Sequence, residues 1–551
     1  MSVAVQRETV SGVTVSVDGV SGAAPAGASL FECAEALGVT VPTSCFKQGK
    51  CRECLVEVEQ GAELLSPPAP QESHLHGRFR LACRTRVVGD AGKVRAHTLR
   101  RGTLRIETEA EGLDERAALE PAVTRDGGRV LLDGEPIATS GGPLHGLALD
   151  VGTTTVALRL YDLETGALRA TQSFENPQRF GGSDVMARIR YDGEQGSRLL
   201  QRTLLGYLSR AIAALPCDPA TVYELVVAGN PTMRDLFFGL DVASIGVMPY
   251  RSLTEAAFRE GRAASTSLSL KARKLRLPVH PEARVYGLPL VASHVGADAA
   301  ACLLATGLFE SDAVAAVLDI GTNTEALVGN RHRIMAASCP AGPAFEGGGV
   351  ACGMPALEGA VERVRIRADG TVETRVIGGG EPAGVCGSGL VDLLSELRRT
   401  GRLNEQGRFT DDAPSFPIDA SRGLVLTEAD INELAQAKGA NAAGLRILVE
   451  SYGMALGDLP RVNLAGGFAR YLDLDAARRI GLVPDLPRER LVQVGNAALH
   501  GASIALLSRS RRRALEQAVV RIEHVRLETH PRFFDYFVEG CQLVPFGSPG
   551  A

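Results

Sequence analysis

No apolar run in this sequence approaches the roughly 18 residues that a membrane-spanning helix needs, and the opening stretch MSVAVQRETVSGVTVSVDG lacks a charged segment followed by an apolar one. A cytoplasmic protein with no membrane partner is expected. The basic excess that nucleic acid requires is missing too: the formal net charge is −5 and the pI about 6.1, so no nucleic-acid partner is expected. GxxxxGK[ST] does not occur, which excludes a P-loop nucleotide site, and neither does HExxH. The close histidine pair in HLH, His74 and His76, suits a solvated loop. The glycine-rich IGGGEPAG has neither the strand-to-helix setting nor the following acid of a dinucleotide site.

What is present is cysteine, in a pattern. Eleven cysteines, an odd number without an export signal, point to cofactor ligands plus buried thiols rather than to a disulfide framework. In VPTSCFKQGKCRECLVEVEQG, Cys45 is followed after five residues by Cys51 and after two more by Cys54, and Cys83 comes 28 residues later in RLACRTRVV. A 2Fe-2S site needs such a set: three thiolates on one loop and a fourth from a distant strand. Gly49 suits a tight loop whose backbone N–H groups face the cluster's negative charge. Structural zinc is the alternative, although zinc ribbons usually pair two CxxC knuckles and here there is one. Around the loop, VTVSV and CLVEVEQG alternate as strands and SLFECAEALG has helical spacing with a glycine stop, the order of a small β-grasp. Residues 1 to about 95 resemble ferredoxins of the plant and adrenodoxin kind, the five-residue first spacing being closer to adrenodoxin. Cys33, on the helix, is expected to be a core thiol.

From about 96 to 143 the chain turns charged and Gly-rich, and a tether with one or two small strands is expected. LHGLALDVGTTTVALRLYDLETG then gives an apolar strand ending at Asp150, a Gly-Thr turn and an alternating strand. AVAAVLDIGTNTEALVGNRHRI repeats it, with Asp319 in the place of Asp150; YELVVAGNPTM and RVNLAGGFARY form a second matched pair. Two copies of one α/β unit, the second carrying extra sequence, fit this pattern. Backbone N–H groups and Thr hydroxyls of each turn suit phosphate oxygens, and each strand-end Asp suits a hydrated Mg2+.

Residues from about 146 to 506 resemble the actin, sugar kinase and heat-shock chaperone ATPase superfamily. The resemblance implies a first phosphate loop from Asp150 through Gly152, Thr153 and Thr154 to Thr155. It implies a second from Asp319 through Gly321, Thr322 and Asn323 to Thr324, with Ala465 to Phe468, including Gly466 and Gly467, in the adenosine site. A carboxylate on the helix before the second loop would position the attacking water, which makes Asp298 in VGADAAACLLATGLFE the candidate; an acid favourable to that helix's dipole is the competing account. VGNAALHGASIALL is expected to be a partner helix whose Gly495, Ala497, Ala498 and Gly501 permit close crossing.

The whole chain resembles the reductive activators of corrinoid proteins. The segments that carry this are NPQRFGGSDVMARI, AGNPTMRDLF, HVGAD, LDIGTNTEALVGN, CPAGPAFEGGGVACGM, GVCGSGLVDLL and NLAGGFARYLD; Ala469 departs from the glycine usual in the family's GGFG stretch. The implied fold is multidomain α/β, with an N-terminal β-grasp 2Fe-2S ferredoxin domain and duplicated RNase H-like, actin-like ATPase lobes. The expected divisions are 1–95 ferredoxin, 96–143 linker, 144–311 first lobe, 312–506 second lobe and 507–551 a strand-and-helix extension on the second lobe. The implied activity is ATP-dependent reduction of inactive Co(II) in a corrinoid methyl carrier to Co(I). The catalytic set is Asp298, Asp150 and Asp319, and the cofactors are ATP, Mg2+ and a 2Fe-2S cluster on Cys45, Cys51, Cys54 and Cys83. The partners are the corrinoid protein of a methyltransferase system and an upstream electron donor, with homodimerisation expected. A small-molecule kinase with a redox-sensing ferredoxin domain, or a nucleotide-gated electron donor to some other reductase, stays open as an alternative. Related activators of acyl-CoA dehydratases and reductases hold a 4Fe-4S cluster between subunits with cysteines of this kind of fold, which makes Cys339 and Cys386 candidates, but they sit in Gly-rich turns without a nearby Cys and are expected to be buried or turn thiols.

Overall fold

The computed structural model describes residues 10–25, 27–41, 45, 47, 52–99, 119–196, 198–411, 413–467 and 469–547. Cys51, Phe468 and the 100–118 part of the expected linker lie outside the described residues. The chain divides into two compact units, residues 1–103 with 174–211, and residues 104–173 with 212–551.

In the first unit, β1 (Val10–Val17), β2 (Val20–Pro25), β3 (Leu55–Gln60), β4 (Phe79–Leu81) and β5 (Ala91–Thr98) form one sheet in the order β2-β1-β5-β3-β4. The central pair β1 and β5 runs parallel while β3 meets β5 antiparallel, which is the β-grasp arrangement around the Leu30–Ala36 helix. That helix starts where the sequence signals it: Ser29 accepts from the Glu32 backbone N–H and the Glu32 carboxylate accepts from the Ser29 N–H, a capping box. Leu30, Phe31, Cys33 and Ala34 turn inward, and burial pushes the Cys33 thiol up to about 11, as a core thiol requires. The NPQRFGG segment belongs to this unit, which its sequence did not foretell. Arg179 pairs with Glu57 of β3 at 3.1 Å and donates to the Thr98 carbonyl of β5 at 3.3 Å.

The second unit holds the duplication. β6 (Val123–Asp126), β7 (Arg129–Leu132) and β8 (Glu135–Thr139) form a three-stranded meander inside the expected linker, where one or two strands were expected. Its turns fall at Gly127 and at Asp133–Gly134, all with positive φ, and Val123 and Val130 are buried. Runs of four or five residues are too short for period-2 alternation to stand out.

β9 (His145–Val151), β10 (Thr155–Asp162), β11 (Leu168–Glu175), β12 (Val222–Ala228), β13 (Leu268–Lys271) and β14 (Arg284–Gly287) make a sheet in the order β11-β10-β9-β12-β14-β13. The second copy begins with β15 (Ala315–Ile320), β16 (Thr324–Gly329) and β17 (Ile334–Cys339). Inserted sequence follows, as β18 (Ala360–Ile366), β19 (Val372–Val376) and β20 (Gly384–Val385) in one small sheet and β21 (Ser415–Asp419) and β22 (Leu424–Thr427) in a hairpin. β23 (Val462–Ala465), β24 (Leu491–Gly495) and β25 (Glu523–His524) complete the second sheet, ordered β24-β23-β15-β16-β17-β25. Superposing β9 on β15 maps β10 on β16, β11 on β17 and β12 on β23, and each copy has an antiparallel hairpin beside a parallel neighbour.

The match extends to single atoms. The glycine after β12, Gly229, sits so that a Cβ would lie 2.7 Å from the Val151 carbonyl, and its counterpart Gly466 after β23 would lie 2.3 Å from the Ile320 carbonyl. Both have positive φ, so only glycine fits at either place. The C-terminal Phe533–Gly540 helix packs on the long Glu428–Tyr452 helix, where buried Lys438 donates to the carbonyls of Gly540 and, at 2.7 Å, Gln542.

The helices Ala297–Thr306 and Ala497–Leu507 cross within the apolar core. The expected close approach is made by Gly501, where a Cβ would lie 1.9 Å from the Ala301 carbonyl oxygen. Gly501→Ala is therefore expected to destabilise the protein by about 2 kcal/mol, although alanine normally gains about 1 kcal/mol over glycine inside a helix. A thermal midpoint equal to or above that of the wild type would contradict this crossing.

Candidate functional site

Each phosphate-loop candidate is a hairpin tip. In the first, β9 ends beyond Asp150, and the Gly152 N–H donates to the Thr155 carbonyl at 2.9 Å, so closely that a Cβ at Gly152 would lie 2.7 Å from that oxygen. In the second, the Gly321 N–H donates to the Asn323 carbonyl at 3.2 Å. Both tips open into one cleft of about 270 Å³. Its wall includes Asp150, Gly152, Thr153, Thr154 and Thr155, then Asp319, Gly321, Thr322 and Asn323, and also Asp298, Gly466 and Gly467. Thr324 does not join them. It is the first residue of β16, paired with Ile320, and its side chain is fully buried away from the cleft, so the second loop's polar surface ends at Asn323. Phe468 lies outside the described residues; Ala469 is buried and its carbonyl accepts from Gln493 Nε2 at 2.7 Å.

Two asparagines fix the first hairpin from helix N-termini. Asn230 caps the Pro231–Phe238 helix with its oxygen and donates its amide to Thr153 Oγ1 at 3.0 Å. Asn496 caps the Ala497–Leu507 helix and donates to Asp150 Oδ2 at 2.9 Å. Sequence reasoning passed over both, although an Asn directly before Pro or before an apolar run is an N-cap signal. Asp319 is held differently, by the buried Cys302 thiol 3.4 Å from its Oδ2. Asp298 lies in the first turn of the Ala297–Thr306 helix; its Oδ1 accepts from the Ala299 N–H at 2.8 Å, while the backbone of the same turn donates to the Gly229 carbonyl. The dipole account and the cleft-wall position thus hold together for one side chain.

Four carboxylates of the cleft wall, Asp150, Asp298, Asp319 and Glu325, are all raised by burial. Desolvation pushes Asp150 up to about 7, against the Asn496 bond that lowers it, with Asp319 adding repulsion. Desolvation likewise takes Asp319 up to about 6, with the Cys302 bond opposing and Glu346 adding to the rise. Asp298 is raised by desolvation and then by Asp319, and Glu325, also in the cleft wall, is raised by desolvation and by Asp298 and Asp319. Among the described residues no three His, Cys, Asp or Glu side chains converge closely enough to hold a metal directly. Hard carboxylate oxygens that repel one another but do not converge suit an Mg2+ that keeps its water shell. Glu346, which sequence reasoning did not single out, projects into the same cleft and accepts from Thr154 Oγ1 at 2.8 Å and from Thr322 Oγ1.

In the first unit, antiparallel pairing of Leu55 with Leu81 sets the residues flanking β3 and β4 side by side, and the Ala82 N–H donates to the Cys54 carbonyl at 2.7 Å. The result is that Cys54 and Cys83, both buried, hold their sulfurs 3.3 Å apart, far beyond the roughly 2.05 Å of a disulfide. Cys45 is half-buried and Cys51 lies outside the described residues. Two thiols this close at the end of a strand pair fit thiolate ligation of iron. Cys339 is fully buried and desolvation raises its thiol, while buried Cys386 lies 3.4 Å from the Val361 carbonyl; among the described residues neither forms a disulfide.

Residues 11–71 match the 2Fe-2S iron-sulfur cluster binding domain, residues 145–311 the RACo middle region, and residues 313–547 the C-terminal domain of RACo, the ASKHA domain. The corrinoid activation enzyme RamQ of Eubacterium limosum is 32% identical over 442 residues, which cover 75% of this chain and 72% of that protein. The chain belongs to the corrinoid activator family. Another member, the [Co(II) methylated amine-specific corrinoid protein] reductase of Methanosarcina barkeri, is 27% identical over 436 residues, covering 73% of this chain and 77% of the reductase. A solved corrinoid activator, the reductive activator for corrinoid, iron-sulfur protein, superposes with a TM-score of 0.70 at 28% identity over 96% of this chain and 98% of that one. The family fold is therefore the one seen here, a ferredoxin domain followed by duplicated actin-like ATPase lobes. No helix among the described residues is long and apolar enough to cross a membrane.

Proposed function

We propose that this protein is an ATP-dependent reductive activator that returns the Co(II) of a corrinoid methyl-carrier protein to Co(I). The observation that carries the reading is the meeting of two Asp-x-Gly-Thr hairpins in one cleft, with Thr154 and Thr322 hydroxyls 3.3 Å apart, in a chain that also brings Cys54 and Cys83 together. Cys45, Cys51, Cys54 and Cys83 would hold a 2Fe-2S cluster, which would supply electrons one at a time. The tip N–H groups and the hydroxyls of Thr153, Thr154 and Thr322 would take the phosphate oxygens of ATP, Gly466 and Gly467 would admit its adenosine, and Asp150 and Asp319 would hold Mg2+, which would neutralise phosphate charge. Asn496 and Cys302 keep those two carboxylates aimed. Asp298 orients the attacking water from the cleft wall.

ATP has a definite thermodynamic task. For one electron, each ~59 mV by which the cobalt couple lies below the donor costs a factor of ten, about 1.4 kcal/mol. Nucleotide binding offsets that deficit through lobe states with different affinities for the corrinoid protein. An upstream carrier re-reduces the chain, the protein works as a homodimer, and it resides in the cytoplasm. Under anaerobic conditions with a cob(II)alamin-loaded corrinoid protein, Co(I) absorption is expected to develop with Mg2+ and ATP and to stay near baseline without ATP. Equal Co(I) formation in both, or ATP consumption stimulated by an alcohol acceptor instead of the corrinoid protein, would overturn the reading.

A further inference from the structure

One side chain in the cleft stands where the reading above requires phosphate. Glu346 ends the short turn Ala344–Glu346, between β17 and β18. Its Oε2 accepts from Thr154 Oγ1 of the first hairpin at 2.8 Å and from Thr322 Oγ1 of the second. Each hydroxyl has a single proton, so while it serves a carboxylate it cannot serve a phosphate oxygen. The turn beneath Glu346 is firmly seated. Gly347 has a φ of 86° and so little room that a Cβ would lie 2.5 Å from the Met354 nitrogen. A few residues on, the Ala351 N–H donates to Asp430 Oδ1 at 2.6 Å, which fastens the segment to the first turn of the Glu428–Tyr452 helix. With the backbone pinned at both places, what yields to an incoming anion is the Glu346 side chain or the bridge between the hairpins.

We propose that Glu346 is a carboxylate latch: it ties the two phosphate hairpins together through Thr154 and Thr322, and the terminal phosphate of a nucleoside triphosphate has to displace it. The proposal rests on the nucleotide reading of the cleft and adds a selection rule to it. A triphosphate brings an anion to the point where both hairpins meet, and like charges plus shared donors make its arrival incompatible with Glu346 in place. A diphosphate lacks that terminal group and leaves the bridge standing. Glu346 is thereby a specificity-determining residue, coupling the presence of the terminal phosphate to release of one lobe's hairpin from the other.

The test is calorimetric titration of the full chain, wild type and Glu346→Gln, with Mg2+ and either a non-hydrolysable ATP analogue or ADP. Glutamine keeps the shape and removes the charge, so the variant is expected to bind the analogue about tenfold more tightly than wild type, with ADP affinity changed by less than about twofold. Glu346→Ala is expected to shift the analogue in the same direction. Equal analogue affinity in wild type and both variants would overturn the latch while leaving the nucleotide site intact. Weaker analogue binding by Glu346→Gln would overturn it too, and would make Glu346 a group that supports bound nucleotide. Wild type that binds neither nucleotide would instead remove the nucleotide reading of the cleft, and the latch with it.

Discussion

Cys54→Ser is expected to abolish iron retention and Co(II) reduction together while ATP hydrolysis stays within about twofold of wild type. Reduction should fall by more than the 10–100-fold typical of losing a group outside a metal's ligand sphere. The reasoning starts from strand pairing. Leu55 opposite Leu81 leaves Cys54 and Cys83 at the same end of the β3–β4 pair with their sulfurs 3.3 Å apart. Serine offers a hard, short oxygen in place of a soft thiolate. Iron and sulfide content, visible absorption and the electron spin resonance of the reduced protein read the loss without an activity assay. Cys33→Ser is the matched control: that thiol is buried on the Leu30–Ala36 helix, and its replacement should leave the iron content unchanged. Full iron content in Cys54→Ser would remove Cys54 from the ligand set.

The parts of this protein that could be read from its sequence are those that repeat or that carry a fixed spacing. The doubled Asp-x-Gly-Thr tips announced both strand-end aspartates, and the topology of the two sheets answers to that repeat down to Gly229 and Gly466. Glu346 gave no such sign. It sits on a loop whose course no period describes, and it meets Thr154 only because the two copies face each other. Thr324 illustrates the opposite error, since a hydroxyl within the motif was counted as a donor when the pleat of β16 turns it into the core. The NPQRFGG segment follows β11 in the chain yet packs with the ferredoxin strands through Arg179, and a sequence divided at composition shifts does not reveal a segment that returns to an earlier unit.

Asp319→Asn is expected to produce the second large effect, loss of ATP-dependent Co(I) formation by more than about 100-fold with the iron content untouched. The same carboxylates predict how the metal-free protein responds to pH. Desolvation raises Asp150 to about 7 and Asp319 to about 6, from an ordinary 3.8, against the bonds from Asn496 and Cys302 that lower them. Between about pH 4 and 7 the folded state then holds protons that the unfolded state has released, so stability falls as pH rises through this window, by an amount on the order of a few kcal/mol. In EDTA the wild-type thermal midpoint should therefore drop between pH 5 and pH 8, and Asp150→Asn and Asp319→Asn should each drop less, because an amide has no proton to lose. On the proposed reading Mg2+ with ATP acts in the other direction: it would engage the ionised carboxylates and bind only the folded state, so the midpoint gain it gives should be larger at pH 8 than at pH 5.5. A gain of equal size at both values, with both Asn variants tracking wild type in EDTA, would mean that Asp150 and Asp319 carry their charge through the whole range and that the cleft does not store repulsion for a cation to relieve.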